Sequence, residues 1–141
     1  MPLLDLEALD SSFELVVPHG DELMDTFYAQ LFESVPAIVP MFAGVDLRHQ
    51  KAMFLRALVL LRASLRDLDA ILPALRELGA RHVEYGARPE HYPIVGAILM
   101  GAMAEVAGPR WTAEHEAAWT TVLQVVIMAM LDGAEAAAPA A

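Results

Sequence analysis

The sequence predicts an all-α fold in one domain, on three observations. Apolar residues recur at helical spacing along almost all of the 141 residues, no segment alternates as a strand would, and no linker or internal repeat divides the pattern. With 57% hydrophobic and 20% charged residues and no Cys, the chain is neither disordered nor stapled by disulfides.

The elements follow in order. Leu6, Leu9, Phe13 and Val16 step by 3, 4 and 3. Met24, Phe27 or Tyr28, Leu31 and Val35 resume after Pro18-His19-Gly20, which predicts two helices meeting at a corner. Pro36 opens a short helix ending near Phe42-Ala43-Gly44. Asp46 is the N-cap of a long helix through Phe54, Leu58, Leu61, Leu65 and Leu68. Asp69 caps the next, on which Ile71, Leu75, Leu78, His82 and Tyr85 share a face, with Pro73 in its first turn and Gly86 at its end. Pro89 and Pro93 make a rigid corner. Val95, Leu99, Ala102 and Val106 then lie on one helix, ended by Gly108-Pro109. Thr112 caps a last helix that sets Trp111, His115, Ala118, Val122, Val126 and Ala129 on one side. Residues 1–133 form the domain on this reading, and Ala134–Ala141 is a loose Ala/Pro-rich tail.

Charge and composition exclude several functions. A net charge of −10 opposes a phosphate-backbone partner, so no nucleic acid is expected. The richest apolar stretches, Ile94–Ala104 and Val122–Leu131, have eleven and ten residues. Both fall short of the roughly 18 that a membrane span needs. The N-terminus lacks the basic region of a signal peptide, which makes a cytoplasmic protein with no membrane partner the expectation. No nucleophile elbow, phosphate-binding glycine loop or tight zinc-ligand pair occurs, and the five histidines are scattered at 19, 49, 82, 91 and 115. Lys51 is the only lysine, beside eight arginines, and composition assigns it no role.

His82 stands alone as a histidine on an apolar helical stripe. It reads either as a core histidine bonded to a backbone carbonyl or as the axial ligand of an iron whose other nitrogens a porphyrin supplies. The second reading also accounts for a short chain with so many apolar side chains. Tyr28 and Gln50 lie beside apolar stripes: one reads as a buried aromatic with a paired hydroxyl, the other as a solvated helix residue.

Three stretches carry a family resemblance. Thr26-Phe27-Tyr28-Ala29-Gln30-Leu31-Phe32 is followed by Val35-Pro36 and Pro40-Met41-Phe42. Gln50-Lys51-Ala52-Met53 runs without a gap to Ala70-Ile71-Leu72-Pro73. Arg81-His82-Val83-Glu84-Tyr85-Gly86 precedes Pro89-Glu90-His91-Tyr92-Pro93-Ile94-Val95-Gly96. Together they resemble the bacterial single-domain globins and the globin domain of flavohaemoglobins.

The resemblance implies a three-over-three helical sandwich enclosing haem b. His82 is similar to the proximal ligand of a five-coordinate iron, Phe42 to the phenylalanine on the porphyrin face and Tyr28 to the distal tyrosine. Gln50 matches the distal glutamine, 32 positions before His82 as the ungapped alignment requires. With a connection one residue shorter before Asp46, His49 takes that place. Phe54 walls the distal pocket with Met53 nearby, and Tyr92 and Val95 belong to the cofactor's surroundings. Arg48, Lys51, Arg81 and Arg88 are candidates to pair the propionates. Two departures stand out. The carboxylate that with Tyr92 polarises the proximal imidazole in the family falls here on Ala134, with Glu135 adjacent, and the flavin and nicotinamide domains have no counterpart in this sequence.

The implied function is reversible binding of O₂, NO and CO, serving NO dioxygenation with an external flavin/NAD(P)H reductase. Two alternatives stay open: an O₂ carrier or reservoir without turnover, and a haem-free helical sensor or interaction module. Homo-oligomerisation stays open too.

Overall fold

In the computed structural model, which describes residues 4–137, helix α1 (Leu6–Val16) begins at Asp5, whose carboxylate accepts the Ala8 N–H at 3.1 Å. A 3-10 turn, Val17–His19, holds Pro18 at the corner, and α2 follows at Gly20–Ser34. The short helix expected at Pro36 is a 3-10 helix, Pro36–Phe42. It leads to α3 (Leu47–Ser64), capped by Asp46, whose side chain accepts the His49 N–H.

The apolar line from Phe54 to Leu68 serves two elements rather than one. Helix α3 stops at Ser64, Leu65–Asp67 forms a 3-10 turn, and α4 runs Leu68–Glu84. Leu65 and Leu68 are both buried, so the chain bends while the apolar line stays inside. The N-cap position falls to Asp67, not Asp69, which lies in the first turn and places Pro73 inside the helix. Asp69 and Pro73 are both exposed, so the carbonyl that Pro73 deprives of a donor faces water.

The end of α4 is tightly made. Gly86 takes φ +91°, its N–H donates to the Val83 carbonyl, and the Ala87 N–H donates to the carbonyl of His82 at 3.0 Å. This pair of bonds is the Schellman pattern, and one of its acceptors is the backbone of His82 itself.

Helix α5 spans His91–Ala107 and α6 spans Ala113–Ala137. At the start of α6, Thr112 Oγ1 accepts the His115 N–H while His115 Nδ1 accepts the Thr112 N–H, a reciprocal cap with histidine where glutamate is usual. With Nδ1 accepting, neutral His115 carries its proton on Nε2 and donates to Ser11 on α1 at 3.1 Å. Residues 134–137, read from sequence as the start of a loose tail, continue α6. Residues 138–141 lie outside the described residues.

Helices α1, α3 and α4 form one layer over α2, α5 and α6. Trp119 is the centre of the core, fully buried, its indole donating to Ser12 Oγ at 2.8 Å while Ser12 donates to the Leu9 carbonyl at 2.6 Å. Helices α4 and α6 lie in backbone contact. A Cβ at Gly79 would strike the Met130 carbonyl, and one at Gly133 the Arg76 carbonyl. By length and composition α6, and α5 continued to Arg110, would suffice to cross a membrane, contrary to the sequence expectation. Within this fold they supply the core residues Leu99, Ala102, Met103, Trp119 and Val122.

Candidate cofactor pocket

Helices α2 and α3 bring Tyr28 and Gln50 together, 22 residues apart in the chain. Gln50 Nε2 donates to the Tyr28 hydroxyl oxygen at 3.2 Å. That bond fills an oxygen lone pair and leaves the hydroxyl proton available for another acceptor. Burial pushes the Tyr28 phenol above its ordinary pKa, and the Gln50 bond offsets this only in part. The group is therefore a neutral donor at physiological pH. His49 is exposed, and only its backbone N–H is engaged, by Asp46.

Aromatic rings enclose the tyrosine. Phe42 and Phe54 lie 6.0 and 6.3 Å from it between centroids, both edge-on, and Phe27 stacks edge-on at 4.9 Å. Phe42 and Phe54 are only half-buried, so each keeps an open side. Met53 is different: at 45% exposed it lies outside the packed cluster, and its side chain is not brought to Tyr28.

On α4, in the same layer as α3, His82 is half-buried, and its Nδ1 lies 2.7 Å from the Leu78 carbonyl oxygen. A carbonyl only accepts, so Nδ1 carries the proton, and in the neutral ring Nε2 keeps a bare lone pair. That tautomer is the one that can ligate a metal. Tyr92 packs beside the ring at 6.3 Å, and Val95 is half-buried one turn further on. The Tyr92 hydroxyl is buried without a hydrogen-bond partner, and burial raises its pKa. Tyr85, placed by spacing on the apolar stripe, is instead 58% exposed and meets His82 edge-on at 5.5 Å.

The charged candidates are otherwise occupied or solvated. Arg81 pairs with Glu77 at 3.0 Å, Arg88 reaches Glu90 at 3.9 Å, Lys51 pairs with Asp25 at 2.9 Å, and Arg48 is exposed. Ala134 is half-buried and Glu135 exposed on the last turns of α6.

Two features fit these residues to a flat apolar cofactor. Helices α3 and α4 bury few residues, Leu58 and Leu61 on one and Leu68 and Gly79 on the other. Their apolar faces, with Phe54, Ile71, Leu72 and Leu75, are covered only in part. Among the described residues no cluster of three or more His, Cys, Asp or Glu could hold a metal ion by itself. A lone imidazole with a bare Nε2 suits an iron that a macrocycle already ligates.

Two helical layers, with an imidazole free at Nε2 on α4 and a phenol hydrogen-bonded to Gln50 on α2, define a class of all-α protein. The chain belongs to the globin family, whose model matches residues 25–130. It is 27% identical over 128 residues to a flavohemoprotein of Bacillus subtilis, covering 89% of this chain and 32% of that protein. Flavohemoprotein B of Dictyostelium discoideum is 32% identical over 130 residues, covering 92% of this chain and 31% of that protein. The chain thus spans about a third of the length of these relatives. In three dimensions it is similar to a bacterial globin from Campylobacter jejuni, with a TM-score of 0.78 over 93% of this chain and 94% of that one at 21% identity. Membership of the family implies haem and oxygen binding.

The contacts around these residues that the sequence did not reveal are the Leu78 carbonyl as the partner of His82, the exposure of Tyr85 beside it, and the Asp25–Lys51 ion pair. Leu78 stands one helical turn before His82, so spacing could have named it. The other two depend on rotamer and on how α2 crosses α3.

Proposed function

We propose that this chain is a haem b globin that binds O₂, NO and CO at a five-coordinate iron held by His82 Nε2, and that it supports NO dioxygenation with an external flavin/NAD(P)H reductase in the cytoplasm. The bound haem would supply the redox-active iron at which O₂ and NO combine to nitrate, leaving an oxidised metal that a donor must restore. His82, Tyr28, Gln50, Phe42 and Phe54 are the residues that would hold the haem.

The reading rests chiefly on the 3.2 Å bond from Gln50 to Tyr28, which orients the phenol so that its proton is free for a ligand. A diatomic ligand that draws charge from iron accepts such a donor strongly, and a charge-assisted bond contributes about 1.5–3 kcal/mol. Ligand release then slows by roughly 10–150-fold. CO, less polarised, gains less. Stopped-flow displacement of O₂ should show Tyr28→Phe releasing faster by that factor, and an unchanged rate would remove the distal role. Mixing the oxygenated protein with NO, with and without cell extract and NADH, should yield more than one nitrate per haem only when the donor is present.

Reversible O₂ storage is the second reading, and the proximal geometry favours it. His82 is hydrogen-bonded to a neutral carbonyl, not to a carboxylate that would raise the basicity of the ligand. Storage alone would leave the nitrate yield at one per haem however much NADH is supplied. A haem-free module predicts no Soret band after haem addition, or one indifferent to His82→Ala.

A further inference from the structure

The only lysine of the chain lies one residue from Gln50 and bonds across the same helix seam. Lys51 Nζ is 2.9 Å from Asp25 Oδ1, and the lysine side chain is 28% exposed against 70% for the aspartate. Asp25 and Tyr28 are neighbours at i, i+3 on α2. Gln50 and Lys51 are adjacent on α3, with Phe54 and Leu55 one turn on from each. The seam is therefore joined at three places: Asp25 to Lys51, Tyr28 to Gln50, and Phe27 to Phe54, whose rings meet edge-on at 5.0 Å.

At 3.2 Å the Gln50–Tyr28 bond is near the long limit for an N–H···O contact, so a shift of a few tenths of an ångström along the seam would break it. The aromatic contact tolerates such sliding because dispersion contacts are not directional. The ion pair is the other polar tie across this seam among the described residues. The apolar contacts of the first half of α3, made by Leu47, Phe54 and Leu55, are only partly buried, and its fully buried residues, Leu58 and Leu61, lie in its second half.

We propose that Asp25 and Lys51 are positioning residues for the distal pair: their ion pair holds the start of α3 at the register in which Gln50 reaches Tyr28. The inference rests on the haem-globin reading above. Lys51 itself does not touch the ligand. Because the pair is partly exposed, salt screens it, and the distal hydrogen bond inherits that sensitivity.

The test uses the haem-loaded protein, with CO and O₂ as probes. Lys51→Met and Asp25→Asn should each speed O₂ release about two- to five-fold, the range set by an exposed ion pair. They should also broaden or shift the infrared stretch of bound CO, which senses donors over the ligand. Salt at about 1 M should move the wild-type rate and band toward those of Lys51→Met, which salt leaves unchanged. Lys51→Arg should behave as wild type, and the swap Asp25→Lys with Lys51→Asp should restore part of the loss. A merely structural pair would lower the melting temperature in these variants and leave the CO band where it was, which would overturn the proposal. Tyr28→Phe separates the two failures. If it leaves rate and band unmoved, the haem-globin reading of the distal site falls; if it moves both while Lys51→Met moves neither, only the positioning role falls.

Discussion

His82 shows how the placement of one proton decides what a side chain can do. Because the Leu78 oxygen can only accept, Nδ1 is protonated and Nε2 is left for a metal. The partner is neutral, so the imidazole stays a modest donor. Resonance Raman of the ferrous haem-loaded protein should place the iron–histidine stretch at the low end of the range for histidine-ligated haem, and Tyr92→Phe should leave it there. A high value that falls in Tyr92→Phe would mean that the now unpartnered Tyr92 hydroxyl polarises the ligand after all. His82, Tyr28 and Gln50 stand out in the sequence as polar groups on or beside apolar helical stripes, their roles come from the resemblance, and the structure brings Gln50 to Tyr28. A backbone-carbonyl bond is one sequence reading of His82, and Leu78, one turn before it, is the acceptor that spacing allows. A second residue-scale prediction concerns Ser12, fully buried between the Trp119 indole and the Leu9 carbonyl. Ser12→Ala leaves the indole N–H unpaired and should cost about 1–3 kcal/mol in urea unfolding, with ligand rates unchanged.

At the scale of elements, caps and breakers were the readable signals. Asp46, Thr112, Gly86 and Gly108 end or begin helices where their chemistry predicts. The boundary between α3 and α4 was misread because Asp69 has cap chemistry and a proline follows it, while the real turn at Leu65–Asp67 carries no glycine or proline to announce it. Gly86→Ala forces a Cβ onto φ +91° and should destabilise by about 1–2 kcal/mol, with faster haem loss because the same turn holds the His82 carbonyl. Helix α1 is tied to the α3 end by Asp10, bonded to Arg66 at 2.8 Å and Arg62 at 3.3 Å. The Arg66 hydrogen bond, with a smaller part from Arg62, holds the Asp10 carboxyl below its ordinary pKa, against a smaller desolvation effect. A folded-state value that is depressed stabilises above the unfolded pKa of about 3.9 and loses that contribution as pH falls through the folded value. Melting curves of Asp10→Asn should therefore lie below wild type at pH 7 and converge with it in the acid range below about pH 4.

For the whole molecule, the quantity to explain is 57% hydrophobic residues in a chain that leaves two of the six α-helices among its described residues thinly buried. Helices α2 and α6 bury Leu23, Met24, Phe27, Tyr28, Leu31, Trp119 and Val122 among others, whereas α3 and α4 bury two residues each. The whole-chain fold was legible because helical periodicity runs from end to end. The uneven distribution of burial was not, because periodicity marks an apolar face without saying whether protein or cofactor covers it. If haem covers it, the cofactor binds only the folded chain and stabilises it by mass action, by about 4 kcal/mol at a thousand times its dissociation constant. Extracting the haem should then lower the melting temperature and raise amide exchange unevenly. Exchange should rise first in α4, in the 3-10 helix Pro36–Phe42 and in the first turns of α3, where the half-covered residues would lose part of their cover. The region around Trp119, with Phe13 at 5.2 Å and Ser12 beneath it, packs on protein alone and should keep its protection. Equal loss of protection throughout would mean that the apolar faces of α3 and α4 are not a cofactor's walls, and that the surplus of hydrophobic residues serves contact with another protein.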